Sequence, residues 1–365
     1  MKKLKLLIVD DDDNAVQLLT DTLKEKQAEI NEQDIDVEYF VSKNLVDSIS
    51  QINNNDYDIA IVDLKLRADT ILREGNEIIK EIKNKLQIPV FVLTNFKDDL
   101  EMDLRAENDI FSIKDRSTVD YNKLINEIIV LFKTGLTHLF GADGILEQKI
   151  MESIKELFWN RIATNWKYIV SKKLNEYERN RVVSRYLTMI LEEKLNIDDM
   201  DINKSDAVEM YIIPPIKKSI STGDLVEYET EKYIVLNPAC DLVIRKDGKA
   251  KASYLVMAKL ISIKSHADTI NCWTDTKFAK SQNLSDIIRN KKGRYHFLPP
   301  YNKQMGYIID FEDIKRIDYL SKVNRIASIS DPFLKNIISR FTGHYNRLGQ
   351  PDFDEDLILK DLEEL

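Results

Sequence analysis

Residues 6–13 read LLIVDDDD: an apolar run stops abruptly in four consecutive carboxylates, Asp10, Asp11, Asp12 and Asp13. The same punctuation returns downstream. IAIV runs into Asp63, VFVL into Thr94 and FSI into Lys114. Between these runs lie segments with helical spacing: NAVQLLTDTLKEKQ, LVDSISQI and NEIIKEIKNKL. YNKLINEIIVLFK follows the last run, and VEYFVS supplies one more β-rich piece. Short, continuously apolar strands alternating with amphipathic helices leave a chain few choices. Strands apolar on both faces must be covered on both faces, which calls for a parallel sheet layered between helices. The fold class expected for residues 1–135 is therefore α/β, doubly wound around five parallel strands.

In such open sheets ligands gather at the carboxyl ends of the strands. The polar residues that close the runs would meet there: Asp10 and Asp11, Asp63, Thr94 and Lys114. Adjacent carboxylates repel one another unless a cation lies between them. Carboxylates are hard oxygen ligands suited to Mg²⁺, an ion that favours a phosphate as co-ligand, and hydroxyl and ammonium groups hold phosphoryl oxygens. Asp12 and Asp13 fall outside this set, with Asp13 or Asn14 expected to cap the following helix.

These residues, in this order, resemble a response-regulator receiver domain, the flavodoxin-like phosphoacceptor of two-component signalling. The resemblance covers residues 1 to about 135. It implies Asp63 as the phosphoacceptor and Asp10, Asp11 and Asp63 as Mg²⁺ ligands, joined by the backbone carbonyl of Lys65. It also implies Thr94 and Lys114 as phosphoryl contacts, and Thr94 with Phe111 as a switch pair. A histidine kinase would be the phosphoryl donor. The chain departs from the family where Asp115 replaces the usual Pro after the lysine. The loop KLRADTILREGN reaches Gly75 late, and the segment before Asp63 is long. Lys65 and Phe96 are large and stand two residues after key positions, so slow attack by water and a long-lived phosphoform are expected.

Residues 136–205 read as a helical connector. HLFGADGILEQ marks the link, and an amphipathic stripe runs through Ile154, Leu157, Phe158, Ile162, Trp166 and Ile169. An intrachain packing face is the expectation, with a homodimer seam as the alternative. From residue 206 to 365 the texture turns β-rich, punctuated by STGD and KDGK, and implies an α+β domain with a small antiparallel sheet or barrel. Cys240 is expected to be a buried thiol in a tight turn, with a nucleophile as its rival. His138, His266, His296 and His344 show no metal or triad spacing. GRYHFLPPYN reads as an aromatic, Pro-bearing turn, and NRIASISDPFLKNIISRFTGHYNRLG reads as a capped helix. Its Arg325, Arg340, His344, Tyr345 and Arg347 form either a docking edge or an anion-binding face. Phrases such as YIVLNPACDL, RYHFLPPY and RIASISDPFLKNIISRF resemble C-terminal regions fused to divergent receivers in prokaryotic phage-defence operons.

Hydrophobic residues make up 43% and charged residues 32% of the 365, enough apolar content for genuine cores. The net charge of −9 belongs to the first third: residues 1–135 hold 18 Lys/Arg against 28 Asp/Glu, and the remainder 35 against 34. Neither part is basic, so nucleic acid is not the expected partner. No run is long enough to span a bilayer. The N-terminus looks like a signal peptide for six residues only, so a cytoplasmic location is expected. Cys240 and Cys272 make neither a disulfide framework nor a zinc site. The expected function is a response regulator with a non-enzymatic interaction domain, partnered by a kinase and a second receiver or effector of the same operon. The alternatives are a phosphate sink that competes for the kinase, a phosphorylation-controlled nucleic-acid binder, and an enzyme built around Cys240.

Overall fold

A computed structural model describes residues 1–365 except 67–72, 142–143, 173, 199–204, 246, 264–272, 275–276, 279–281, 302–305, 348–353 and 364–365. Cys272, His266 and most of the loop after Lys65 lie outside the described residues. The chain forms two compact units, Met1–Met200 and Asp201–Leu365.

The first unit is built on β1 (Lys2–Val9), β2 (Ile35–Ser42), β3 (Ile59–Val62), β4 (Val90–Thr94) and β5 (Phe111–Asp115). They form one parallel sheet in the order β2-β1-β3-β4-β5, the doubly wound flavodoxin-like arrangement. Helices α1 (Asp13–Asn31) and α4 (Tyr121–Lys133) cover one face, and α2 (Leu45–Asn54) and α3 (Glu74–Lys85) the other. Leu6, Ile8, Ile59 and Ile61 point into the α1/α4 layer and Leu7, Val9, Ala60 and Val62 into the α2/α3 layer. This alternation explains why the strands read as unbroken apolar runs. Only two 3₁₀ turns, Lys97–Asp99 and Met102–Leu104, join β4 to β5. Asn76 holds that link: its amide donates to Asp99 O at 3.1 Å and accepts from the N–H of Glu101 at 3.1 Å.

Helices α5 (Leu136–Phe140), α6 (Ile145–Glu156), α7 (Ala163–Ser171) and α8 (Glu176–Asp198) complete this unit. A π-helical turn, Leu157–Ile162, runs between α6 and α7. It adds a residue to the turn and so rotates everything after it. The expected stripe therefore splits. Leu157 and Ile162 are buried against Ile190 of α8, with Ile169 packed beside them, whereas Ile154, Phe158 and Trp166 stay exposed.

The second unit carries a seven-stranded antiparallel sheet. Its members are β6 (Tyr211–Ile212), β7 (Asp224–Tyr228), β8 (Glu231–Val235), β9 (Tyr254–Ser262), β12 (Tyr295–Leu298), β13 (Tyr307–Asp318) and β14 (Asn324–Ile329). Their order is β12-β13-β9-β8-β7-β14-β6, and among the described residues no pairing closes the sheet. The antiparallel sheet expected of this region is present, with seven strands. A separate two-stranded ribbon, β10 (Trp273–Thr274) and β11 (Lys277–Phe278), and short helices α9 (Ala207–Met210), α10 (Ala239–Leu242) and α11 (Gln282–Ile288) accompany it. Helix α12 (Asp331–Tyr345) packs Phe333, Leu334, Ile337, Ile338 and Phe341 onto one face, and α13 (Glu355–Glu363) follows.

Four local expectations change here. RIASI is strand rather than helix, because Ala327 and Ile329 face the core with period two before Ser330 and Pro332 start α12. RYHFL, expected as a turn, contributes β12. Cys240 is exposed on the single-turn α10, not buried, with Sγ 3.7 Å from Asp241 Oδ1. The anion face does not form. Arg325 pairs with Asp224, Arg340 donates to the carbonyls of Lys292 and Tyr295, and Tyr345 donates to Phe311 O. Arg347 bonds the ring of His344, which is itself buried.

Candidate functional site

The register of the sheet assembles the site. β1 and β3 are parallel neighbours with Val9 opposite Val62, so Asp10 and Asp63 emerge side by side at the rim. Backbone bonds continue past the strands: Asp63 N–H donates to Val9 O at 2.8 Å and Asp10 N–H to Ser42 O at 3.0 Å. The strand order reverses between β1 and β3, which places the crevice where doubly wound sheets bind ligands at this point. Gly75, at the start of α3, keeps the rim tight. A Cβ there would lie 2.3 Å from Asp63 O and 2.5 Å from Leu64 Cα.

Asp10, Asp11 and Asp63 each present a carboxylate oxygen within 4.8 Å of the others. Asp10 and Asp63 are buried. Burial pushes Asp10 up to about 6, opposed by the N–H of Asp12 and by Arg116, and reinforced by the charges of Asp63 and Asp11. Burial also raises Asp63, against the pull of Arg116, the N–H groups of Leu64 and Lys65 and the Thr94 hydroxyl. Thr94 is fully buried, and its Oγ1 accepts from the N–H of Phe96 at 3.1 Å. Asp12, rather than Asp13 or Asn14, caps α1: its Oδ1 accepts from Asn14 N–H at 2.9 Å. Asp13 pairs with Lys43 instead.

The cation at this rim is Arg116. Its Nη1 donates to Asp63 Oδ2 at 2.8 Å, and its Nη2 lies 3.1 Å from Asp10 Oδ2 and 3.0 Å from Asp12 Oδ2. Lys114 lies elsewhere, 2.7 Å from Glu127 on α4. The reason is register. β5 continues to Asp115, which pairs with Thr94, while Lys114 pairs with Leu93 and faces the α1/α4 layer. The missing Pro after Lys114 was the signal, since Pro would end the strand there. Phe111 is also displaced from its expected partner. It starts β5, opposite Val90, about 13 Å of strand away from the level of Thr94. It is buried in the α2/α3 layer with Lys83 Nζ 4.2 Å from its ring centroid. Lys65 Nζ and Arg73 Cζ stand 5.4 and 5.2 Å from the ring of Phe96, a cation–aromatic wall beside the rim.

Three carboxylate oxygens so close together, already drawing in a guanidinium, fit a hard divalent cation such as Mg²⁺. Among the described residues this is the one group of acids, histidines or cysteines arranged to hold a metal. No single described helix is long and apolar enough to cross a membrane.

Solved receiver domains resemble the first unit. They include the response regulator TrrA from Thermotoga maritima in complex with Mg²⁺-BeF, at 22% identity over 36% of this chain and 99% of that one, with a TM-score of 0.27. A CheY-like receiver domain protein from Methanospirillum hungatei matches at 20% identity over 37% and 94%, TM-score 0.27. A two-component response regulator from Clostridium difficile matches at 20% over 36% and 96%, TM-score 0.27. The chain matches no protein-family model and no curated protein.

Proposed function

We propose that the first unit is a receiver that accepts a phosphoryl group on Asp63 from a histidine kinase. The observation that carries this reading is the buried Asp63 carboxylate, set beside Asp10 and Asp11 and facing the Thr94 hydroxyl. An oxygen of Asp63 attacks phosphorus. A P–O bond forms as the donor's P–N bond breaks, and the departing imidazole keeps the electron pair and takes up a proton. Asp10, Asp11 and Asp63 would hold Mg²⁺ with the Lys65 carbonyl; the ion supplies charge neutralisation between carboxylate and phosphoryl oxygens. Thr94 orients a phosphoryl oxygen, and Arg116, rather than the expected Lys114, is the cation that meets the Asp63 carboxylate. The wall of Lys65 and Phe96 restricts water, which supports a long-lived phosphoform.

The second unit serves as a non-enzymatic interaction module, with a kinase and a further receiver or effector as partners. Its phage-defence setting rests on the resemblance of its phrases alone. A phosphate sink is the second reading. It is favoured by the place of Phe111, about 13 Å of strand away from the level of Thr94.

Incubation of the full chain with Mg²⁺ and acetyl phosphate, or with a phosphorylated histidine kinase, tests the reading. Acid-stable, base-labile phosphate is expected on the wild type and absent from Asp63→Asn. Equal labelling of both proteins, or of neither, would sink it.

A further inference from the structure

One guanidinium lies against the same carboxylates that the proposed receiver chemistry assigns to a metal. Arg116 bridges Asp63 at 2.8 Å and Asp10 at 3.1 Å, and only 15% of its side chain is exposed. Lone pairs aimed at Nη1 and Nη2 are unavailable to a metal, and two cations in one small pocket repel strongly. Arginine and Mg²⁺ therefore compete for Asp10 and Asp63.

The surroundings favour exchange over a permanent pair. Asp10, Asp11, Asp12 and Asp63 bring four carboxyl groups, and Arg116 is the only cation bonded to Asp10 and Asp63 among the described residues. The rim stays short of positive charge, so a divalent ion neutralises it better than a guanidinium does. Arg116 also has a second place to rest. Asp12 lies outside the Asp10/Asp11/Asp63 set, is half exposed, and holds its Oδ2 3.0 Å from Nη2. Its Oδ1 is fixed as the cap of α1, so this acceptor is rigidly placed. The backbone of Arg116 is anchored too, its N–H donating to Thr94 O at 3.2 Å. Only the side chain has to move.

We infer that Arg116 is an exchangeable counter-ion: it closes the acidic rim in the metal-free protein and withdraws onto Asp12 when Mg²⁺ enters. This inference rests on the receiver reading of the site. The third aspartate of LLIVDDDD thereby gains a purpose, as the resting place of the displaced arginine. Arg116 is a positioning residue whose presence weakens metal binding and couples it to side-chain motion.

Titration calorimetry of MgCl₂ into the full chain, at constant ionic strength, tests this for wild type, Arg116→Ala and Arg116→Lys. Removing the competing cation should tighten Mg²⁺ binding by about tenfold or more in Arg116→Ala. The lysine, a point charge without the planar fork of the guanidinium, should fall between. If Arg116→Ala folds only with the ion present, the ion-induced rise in melting temperature is compared between wild type and Arg116→Lys, and a larger rise is expected in the lysine variant. Equal or weaker Mg²⁺ binding in the variants overturns the inference while leaving the receiver reading in place. Absence of Mg²⁺ binding from all three proteins, with no phosphate on Asp63, overturns that reading and the inference with it.

Discussion

Both units bury aspartates, and they treat them in opposite ways. In the second unit each buried acid has an arginine of its own. Asp224, wholly enclosed, lies 2.8 Å from Arg325 Nε and accepts from Ser328 Oγ at 2.6 Å and from the Ser221 N–H at 2.7 Å. Asp310 accepts two bonds from Arg294, at 2.8 and 2.6 Å, and one from the Glu312 N–H at 3.0 Å. These acids pin strands: Asp224 sits opposite Ser328 where β7 meets β14, and Asp310 sits at the irregularity of β13. In the first unit Asp10, Asp12 and Asp63 share one arginine. An acid satisfied from within has a structural job, whereas a group of acids short of cations is prepared for something from outside.

The largest effect expected of this contrast is on stability in the second unit. Asp224→Ala leaves Arg325 without its buried partner and should cost about 3–5 kcal/mol. Denaturant unfolding followed by a probe in that unit measures it, and phosphate uptake at Asp63 should persist. A loss of under about 1 kcal/mol would show that Asp224 is as dispensable as a surface acid.

Next comes a pH dependence of opposite character at the rim. Asp10 is raised from 3.8 to about 6, so as pH climbs the unfolded chain releases this proton first and the folded chain holds it longer. Its contribution to stability is therefore fully present below about pH 4 and is lost as pH rises through about 6, a change of about 3 kcal/mol. Asp63 acts in the same direction. Metal-free Asp10→Asn should be the more stable protein near pH 7 and should lack most of this slope. An unchanged slope would show that Asp10 is not the source of this pH dependence.

A smaller loss is expected from Gly75→Ala. The added methyl meets the Asp63 carbonyl and Leu64 Cα. It should cost about 2 kcal/mol by overpacking and reduce phosphate uptake, because α3 must back away from the rim. The smallest effect belongs to Lys114→Ala. Its bond to Glu127 is a half-exposed ion pair worth under about 1 kcal/mol. Phosphate uptake should hardly change. A loss as deep as that of Asp63→Asn would return Lys114 to the phosphoryl group.

Much of the first unit was legible because its signals are local. Runs such as LLIV and IAIV announce strands covered on both faces, and the acid after each run announces the rim. Less was legible where one residue of register matters. FSIKDR contains two cations, and which of them reaches the rim depends on how far β5 pairs with β4, a long-range property. Phe111 was misplaced for the same reason. The stripe from Ile154 to Ile169 was read with a single helical period, and the π-helical turn at Leu157–Ile162 breaks that period. In the second unit NRIASI looked helical beside a real helix, and only pairing with β7 and β6 made it a strand.

Composition and pattern alone determined that this chain begins with a layered parallel sheet whose strand ends carry acids, since apolar runs and helical periods are written residue by residue. Tertiary structure decided which cation meets those acids, which acid caps α1 and where the aromatic of β5 lies. Those outcomes turn on strand register, in which a shift of one residue sends every side chain to the other face.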